Sequence, residues 1–144
     1  MITDKKYDIY FSCAMHGQSE AMRRENTHFG EALRAVCAQY GWEVFDPELK
    51  HNNGGWPQGE TYTAEKNILR QCGAMVMVLN GPSTGAGGES VICEYDDVPI
   101  ILVSAEPDTL SRFLLCNPAV KKIITQRGEA ETITEVIAAL RELM

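Results

Sequence analysis

The sequence lacks the features that mark several large classes of protein. No apolar run approaches the length of a membrane span, and residues 1–6 (MITDKK) lack a signal-peptide pattern. Basic residues are few, 13 against 20 acidic ones, and the net charge of −7 argues against a polyphosphate-binding surface. The five cysteines, at positions 13, 37, 72, 93 and 116, show no C-x-x-C spacing. We therefore expect a cytoplasmic protein with reduced cysteines and with neither a membrane nor a nucleic-acid polymer as partner.

Strand-like and helix-like patterns alternate along the 144 residues, of which 44% are apolar and 23% charged. Alternation of this kind predicts one α/β domain, flavodoxin-like or Rossmann-like, with a mostly parallel five-stranded sheet and helices on both faces. Residues 48–59 have no periodic pattern and are predicted to form a long loop, which is more often a functional lid than a connector. The predicted strands are 7–12, 42–45, 74–79, 98–104 and 120–125, and the predicted helices are about 24–40, 60–72, 89–95, 108–115 and 132–144.

The most informative segment is the glycine-rich stretch that follows the third predicted strand. Four glycines lie between Gly81 and Gly88, and Glu89 follows them where a helix is predicted to begin. Glycine-rich turns between a strand and a helix let backbone amides approach an anionic or polar ligand. A carboxylate at such a point is a candidate nucleophile. The alternative is a plain glycine-rich turn with an ordinary acidic residue in the first turn of a helix.

Two further residues are candidates for the same edge of the sheet. Glu65 falls on one stripe of the second predicted helix together with Tyr62, Leu69 and Cys72. A carboxylate on a packing stripe costs several kcal/mol if unpaired, so it is expected to have a partner or a chemical role. The alternative is a rotated helix with Glu65 in solvent. Tyr10 is expected at the mouth of the first strand.

Two carboxylates and a tyrosine around a glycine-rich pocket suit the cleavage of a glycosidic bond, in which one carboxylate attacks the anomeric carbon. No cofactor or metal is expected. His16, His28 and His51 lack metal-ligand spacing, and no Cys/His or Ser/His/Asp pattern is evident. The glycine-rich stretch is neither a Walker loop nor a dinucleotide fingerprint. Spacing alone does not distinguish catalysis from simple ligand binding.

Three segments resemble the nucleoside 2-deoxyribosyltransferase superfamily, and most closely its 2'-deoxynucleoside 5'-monophosphate N-glycosidase branch. Residues 9–17 (IYFSCAMHG) resemble the opening strand and loop that contact sugar and phosphate. Residues 65–78 (EKNILRQCGAMVMV) resemble the helix and strand that include the orienting acid. Residues 82–89 (PSTGAGGE) resemble the family's P-S-x-G-x-G-x-E loop with its nucleophile.

The resemblance implies a role for each of these positions. Glu89 would be the nucleophile, Glu65 the orienting acid and Tyr10 a supporting residue. Substrate-binding positions would be Ser12, His16, Gly17, Ser83, Gly85 and Gly87, with Ser83 and the amides near Gly85 and Gly87 holding a 5'-phosphate. A homodimer is also implied.

The chain departs from the family pattern at four of its positions. Glu65 stands where the family usually has Asp, and His16 stands where the monophosphate branch has a phosphate-binding Arg. Gly73 is at a position where Asp is common, and Ser90 replaces a Gly after the nucleophile. No counterpart is apparent of the serine that this branch takes from a neighbouring subunit.

The function expected from the sequence is hydrolysis of the N-glycosidic bond of a nucleoside or deoxynucleoside 5'-monophosphate. Three alternatives remain open at this stage. One is a base-exchanging deoxyribosyltransferase, and another is a non-catalytic nucleotide-binding module on the same fold. The third is a TIR-like NAD hydrolase, which also combines a βα architecture with a catalytic Glu.

Overall fold

The computed structural model describes residues 5–15, 17–57 and 59–144. In these ranges five strands form one parallel sheet in the order β2-β1-β3-β4-β5, which is the flavodoxin-like order. This arrangement confirms the predicted fold class. The strands are β1 (Ile9–Cys13), β2 (Val44–Phe45), β3 (Ala74–Val78), β4 (Ile100–Ser104) and β5 (Val120–Thr125).

Helices cover both faces of the sheet, as predicted. The helices are α1 (Glu20–Ala38), α2 (Pro47–Asn52), α3 (Thr61–Gln71), α4 (Thr84–Tyr95), α5 (Arg112–Leu115) and α6 (Glu129–Leu143), with a short 3₁₀ turn at Pro107–Thr109. Within the described ranges, none of the helices is both long and apolar enough to cross a membrane.

Alternation along the strands divides the core into two layers. Odd-numbered residues of β1, such as Ile9 and Phe11, pack against the face covered by α1 and α6. Even-numbered Tyr10 packs with Met75 and Leu69 on the opposite face, which α3 and α4 cover. Because side chains alternate across a strand, Ser12 points to the same side as Tyr10. This alternation directs both side chains of β1 towards α4.

Several predicted boundaries were wrong, and two of the differences affect the site. Helix α4 begins at Thr84 rather than at residue 89, so the glycine-rich stretch is its first turns. The predicted loop 48–59 overlaps most of α2, which Asp46 caps by accepting a hydrogen bond from the Glu48 amide at 3.0 Å. The predicted helix 108–115 is instead the 3₁₀ turn followed by the four-residue α5.

The predicted packing stripe of α3 was wrong at one position. The buried residues of α3 are Ala64, Ile68 and Leu69, whereas 67% of Tyr62 is exposed. The helix is therefore rotated so that Tyr62 lies at the outer border, where its ring contacts the Lys66 ammonium at 5.3 Å. Glu65 lies between the buried face and this border.

The five cysteines are all free thiols, of which Cys37, Cys72 and Cys93 are buried, Cys13 is half-buried and Cys116 is exposed.

Candidate active site

Strand β1 and helix α4 bring Ser12 and Glu89 into direct contact. The Ser12 hydroxyl donates a hydrogen bond to Glu89 Oε1 at 2.6 Å, and only 4% of Ser12 is exposed. A short hydrogen bond from a buried hydroxyl stabilises the ionised form of a carboxylate. Ser12 was predicted to bind substrate, and in the structure its hydroxyl donates to Glu89.

Glu89 lies in the second turn of α4, which corrects its expected place at the helix start. Ser83 is the N-cap, and its hydroxyl accepts a hydrogen bond from the Ala86 amide at 3.2 Å. The favourable field of a helix N-terminus falls off within the first turn. The Ser12 hydroxyl, rather than the helix dipole, therefore does more to favour the ionised form of Glu89.

Burial raises the pKa of Glu89 above its usual range, while hydrogen-bonding groups on Ser12 and Tyr10 act in the opposite direction. The Glu89 carboxyl is thus buried from water, but the hydroxyls of Ser12 and Tyr10 lie beside it as donors. A carboxylate in such a setting is a stronger base and nucleophile than one in solvent, provided that it is ionised.

Tyr10 lies under the site rather than at its mouth. The residue is fully buried, with its ring 5.4 Å from that of Phe45. Its hydroxyl is close enough to Glu89 to lower the pKa of that carboxyl, although it falls short of hydrogen-bond geometry with any described residue. Burial and the neighbouring Glu89 and Glu65 raise the pKa of Tyr10. Tyr10 therefore stays protonated and can only donate to Glu89.

Glu65 faces the same cavity as Glu89 and has a histidine partner there. Its Oε2 lies 3.2 Å from His51 Nε2 on α2, and 20% of the Glu65 side chain is exposed. Burial raises the pKa of Glu65, His51 lowers it, and the carboxylates of Glu89 and Glu48 raise it further. Glu65 is thus not a solvated surface acid: its Oε2 is within ion-pair distance of His51, although the contact falls short of hydrogen-bond geometry, and the two site carboxylates interact with each other.

These groups line a cavity of about 380 Å³ beyond the carboxyl ends of β1 and β3. This is the position at which the strand order reverses, where ligands bind in open α/β sheets. A smaller cleft of about 240 Å³ shares Glu65, Glu89, Thr84 and Gly85 with it, and extends between α3 and α4. The larger cavity is lined by Phe11, Ser12, Cys13, Met15, Asp46, Pro47, Glu48, His51, Glu65, Pro82, Ser83, Thr84, Gly85, Ala86 and Glu89.

Sequence reasoning predicted that residues 48–59 form a functional loop, but it missed the helix in this segment and the side chains that it contributes to the cavity. Asp46, Glu48 and His51 all line it, and the described lining therefore contains four carboxylates and one imidazole. Asp46 is half-buried, and burial raises its pKa. The sequence signal for this helix was Asp46 followed by Pro47, an N-cap residue with proline at the first helical position.

The predicted substrate-binding positions are distributed unevenly around the cavity. Ser83 and Gly85 line it, and a Cβ at Gly85 would meet nothing within 4 Å. The amide of Gly87 donates to the Ser83 carbonyl at 3.1 Å, so it is used within the helix and is not available to a ligand. Gly17 is exposed in a left-handed turn, with φ +76°, outside the described lining. His16 lies outside the described residues.

The first turn of α4 provides donors at this end of the cavity. An α-helix leaves its first amides without intrahelical partners, and here the Ser83 hydroxyl satisfies the amide of Ala86. The earlier amides, at Thr84 and Gly85, remain at the cavity wall and can bind an anion or another acceptor.

A cysteine nucleophile does not fit this cavity. Cys13 lines its wall, but burial raises the pKa of the Cys13 thiol to about 12. Only the thiolate is a strong nucleophile, and that form is scarce near neutral pH. Cys13 is therefore a poor candidate for a nucleophile, and the carboxylates of the described lining are the other candidates.

Comparison with known proteins extends the resemblance found in the sequence. No protein-family model matches the chain. Two curated proteins, both named "Putative 2'-deoxynucleoside 5'-phosphate N-hydrolase 1", are similar to it over most of their length. The one from Methanosarcina mazei is 22% identical, with 92% of this chain and 82% of that protein covered. The one from Methanosarcina barkeri is 24% identical, with 82% of each covered. These matches confirm the resemblance to the N-glycosidase branch.

Proposed function

We propose that this protein is an N-glycosidase that cleaves the bond between base and sugar in a nucleoside or deoxynucleoside 5'-monophosphate, with Glu89 as nucleophile. The observation that supports this most directly is the Glu89 carboxylate, which accepts a 2.6 Å hydrogen bond from buried Ser12 and shares a cavity with Glu65. The names of the two relatives describe N-hydrolysis of a 2'-deoxynucleoside 5'-phosphate, which falls within this proposed reaction. No cofactor is required.

In the first half of the reaction, a Glu89 oxygen attacks the anomeric carbon while the bond to the base nitrogen breaks. The departing nitrogen takes a proton from Glu65, whose raised pKa suits it to donate one. In the second half, water attacks the same carbon, the bond to Glu89 breaks, and the proton of the water returns to Glu65. Each step balances, and the products are a free base and a sugar 5'-phosphate.

Ser12 and Tyr10 would support Glu89 in both halves. Each offers a donor to the carboxylate, and both act against the effect of burial on its pKa. Ser12 holds one carboxylate oxygen in place and leaves the other free to attack.

The 5'-phosphate would bind at the start of α4, at the amides of Thr84 and Gly85 and beside Ser83. His16 completes this anion site in the proposal. Because an imidazole is charged only near and below pH of about 6.5, 5'-monophosphates should bind more tightly as pH falls towards about 6. KM for a nucleoside and for its 5'-monophosphate, compared at two pH values in wild type and His16→Ala, tests this site. A phosphate that gives no advantage at either pH would leave the unphosphorylated nucleoside as the better substrate.

The decisive test of the activity is chromatographic detection of free base from a panel of nucleosides and nucleotides. Glu89→Gln should lower base release by several orders of magnitude while the circular dichroism spectrum is unchanged. Glu94→Gln is the matched control, since Glu94 lies on the same helix but is exposed. Near-normal turnover in a folded Glu89→Gln variant would rule out the assignment.

The same panel separates the alternative functions. In a base-exchanging deoxyribosyltransferase, an added free base would appear in a new nucleotide. In a TIR-like enzyme, NAD would release nicotinamide. A non-catalytic nucleotide-binding module would bind members of the panel, for example by calorimetry, without releasing base from any of them.

We further propose a single-domain cytoplasmic protein that forms a homodimer, as the family resemblance implies. Sedimentation equilibrium would give twice the 16.0 kDa chain mass for a dimer and that mass itself for a monomer.

A further inference from the structure

Helix α2 places a histidine against the second carboxylate of the site. His51 Nε2 lies 3.2 Å from Glu65 Oε2, and 40% of the His51 side chain is exposed against 20% of the Glu65 side chain. His51 therefore contacts both Glu65 and bulk water.

The chain that follows α2 folds back beside this imidazole. The Gly55 amide donates to the Lys50 carbonyl at 2.8 Å, so the chain after α2 turns back towards the helix. Gly55 has φ +64°, and a Cβ there would lie 3.7 Å from His51 Nδ1. The Lys50 ammonium lies 4.4 Å from the centre of the half-buried Trp56 ring, which packs against the core. The Gly55 backbone thus lies beside the Nδ1 edge of the imidazole, whereas Nε2 faces Glu65.

The charges that face Glu65 are mostly of its own sign. Glu48 on α2 and Glu89 on α4 both raise its pKa, and Tyr10 on β1 is neutral. In the described lining of the larger cavity, His51 is the basic side chain that opposes them. Without it, two or three carboxylates would share a poorly solvated space, which strongly favours protonation of one of them.

We propose that His51 is a positioning residue that fixes the Glu65 carboxylate and exchanges a proton with it during the glycosidic reaction. This inference rests on the proposed function. In the step towards products, the proton on His51 Nε2 passes to Glu65 Oε2, and Glu65 passes one proton to the departing base nitrogen. When water attacks, its proton returns to Glu65 and from there to His51, so the pair ends as it began. His51 exchanges protons with solvent through its exposed side.

The test is a pair of substitutions that change the charge at position 51 in opposite ways. His51→Gln removes the imidazole that lowers the pKa of Glu65, so Glu65 should hold its proton to higher pH, and the alkaline limb of the pH–rate profile should move upwards. His51→Lys keeps a positive charge across the same range, so that limb should move downwards. In both variants kcat should fall about tenfold, which is less than the roughly 10²–10⁴-fold loss expected when a general acid itself is removed. A purely structural role would lower activity without moving the limb in opposite directions.

His28→Gln is the matched control. His28 also pairs with a glutamate, since its Nδ1 lies 2.6 Å from Glu129 Oε2, but the pair joins α1 to α6 away from the cavity. We expect this variant to retain the wild-type profile. An equal shift in His28→Gln and His51→Gln would overturn the proposal.

A titration that does not depend on activity separates this inference from the proposed function. Carbon-13 NMR of carboxyl-labelled glutamate, with Glu65 assigned from Glu65→Gln, measures its ionisation directly. The midpoint should rise in His51→Gln and fall in His51→Lys. If Glu65 titrates identically in all three proteins, the His51 inference is wrong even if wild type releases base. If the midpoints move as expected while no substrate releases base, the coupling stands but the proposed reaction and the proton relay fail.

Discussion

Replacing Ser12 with alanine removes one hydrogen bond from the proposed nucleophile and little else. The Ser12 hydroxyl donates at 2.6 Å to Glu89 Oε1, and the residue is only 4% exposed, so water cannot easily replace it. A hydrogen bond to a charged group contributes about 1.5–3 kcal/mol. At about 1.4 kcal/mol for each factor of ten, kcat/KM should fall roughly 10- to 150-fold if the bond holds the reactive carboxylate throughout the reaction.

The loss in Ser12→Ala should also depend on pH. The Ser12 bond lowers the pKa of Glu89, so its removal raises that pKa. Because the nucleophile must be ionised, the acid limb of kcat/KM should move to higher pH, and the defect should be larger at pH 5 than at pH 8. Initial rates of base release across this range provide the measurement.

Ser90→Ala is the matched control for this prediction. Ser90 is also buried, and its hydroxyl also makes a 2.6 Å hydrogen bond, but to the Gly87 carbonyl rather than to Glu89. We expect its acid limb to coincide with that of wild type. A Ser12→Ala profile that superimposes on wild type, or an equal shift in Ser90→Ala, would refute the assigned role of the Ser12–Glu89 bond.

Two further predictions concern the stability of the fold, each measured by urea unfolding. Burial raises the pKa of Glu89, so the native state holds this proton to higher pH than the unfolded state and loses stability as pH rises through the two pKa values. Glu89→Gln should therefore be more stable than wild type at pH 8. The gain should be about 1.4 kcal/mol for each pH unit that separates the folded and unfolded pKa values of Glu89. An unchanged or lower urea midpoint in Glu89→Gln would contradict this prediction. Gly30→Ala should lose about 1–3 kcal/mol, because its Cβ would lie 2.8 Å from Phe11 Cε2. Gly87→Ala should instead raise the free energy of unfolding by up to about 1 kcal/mol, because nothing lies within 4 Å of a Cβ at Gly87 and alanine favours a helix over glycine. Equal effects at the two glycines would contradict the packing described.

The central strands were predictable because their burial is visible in the sequence. Strand β3 was predicted at 74–79 and is Ala74–Val78, and β4 was predicted at 98–104 and is Ile100–Ser104. Strands covered on both faces are nearly continuous apolar runs, and β3 and β4 have this pattern. The first helix was predicted too late, because Ser19, which caps it by accepting from the Met22 amide, precedes any apolar periodicity.

The start of α4 was predicted wrongly because intrinsic propensity and tertiary structure disagree there. Three glycines, at positions 85, 87 and 88, each cost a helix about 1 kcal/mol relative to alanine. The Ser83 cap and packing against α3 outweigh this cost. The wrong boundary moved Glu89 from the second turn to the first, and so overstated the influence of the helix dipole.

The acidic half of the cavity could not be predicted because α2 has no hydrophobic periodicity. It is six residues long and none of them is buried, so only its capping residues indicate a helix. Sequence reasoning identified Glu65 and Glu89 from their positions on longer helices, but it had no means of pairing Glu65 with His51. That contact joins residues 14 positions apart across an irregular segment.

The most direct test of the account is to trap the covalent intermediate on Glu89. Fluorine at the 2'-position of a nucleotide analogue destabilises the oxocarbenium-like transition states, so it slows both the attack by Glu89 and the later attack by water. A good leaving base restores the rate of the first attack, so the covalent intermediate accumulates. After acid quench and proteolysis, mass spectrometry should find one added sugar phosphate on the peptide that contains Glu89, and none in Glu89→Gln. A sugar attached to a different residue, or steady turnover of substrate by Glu89→Gln, would contradict the central claim that Glu89 is the nucleophile of an N-glycosidase.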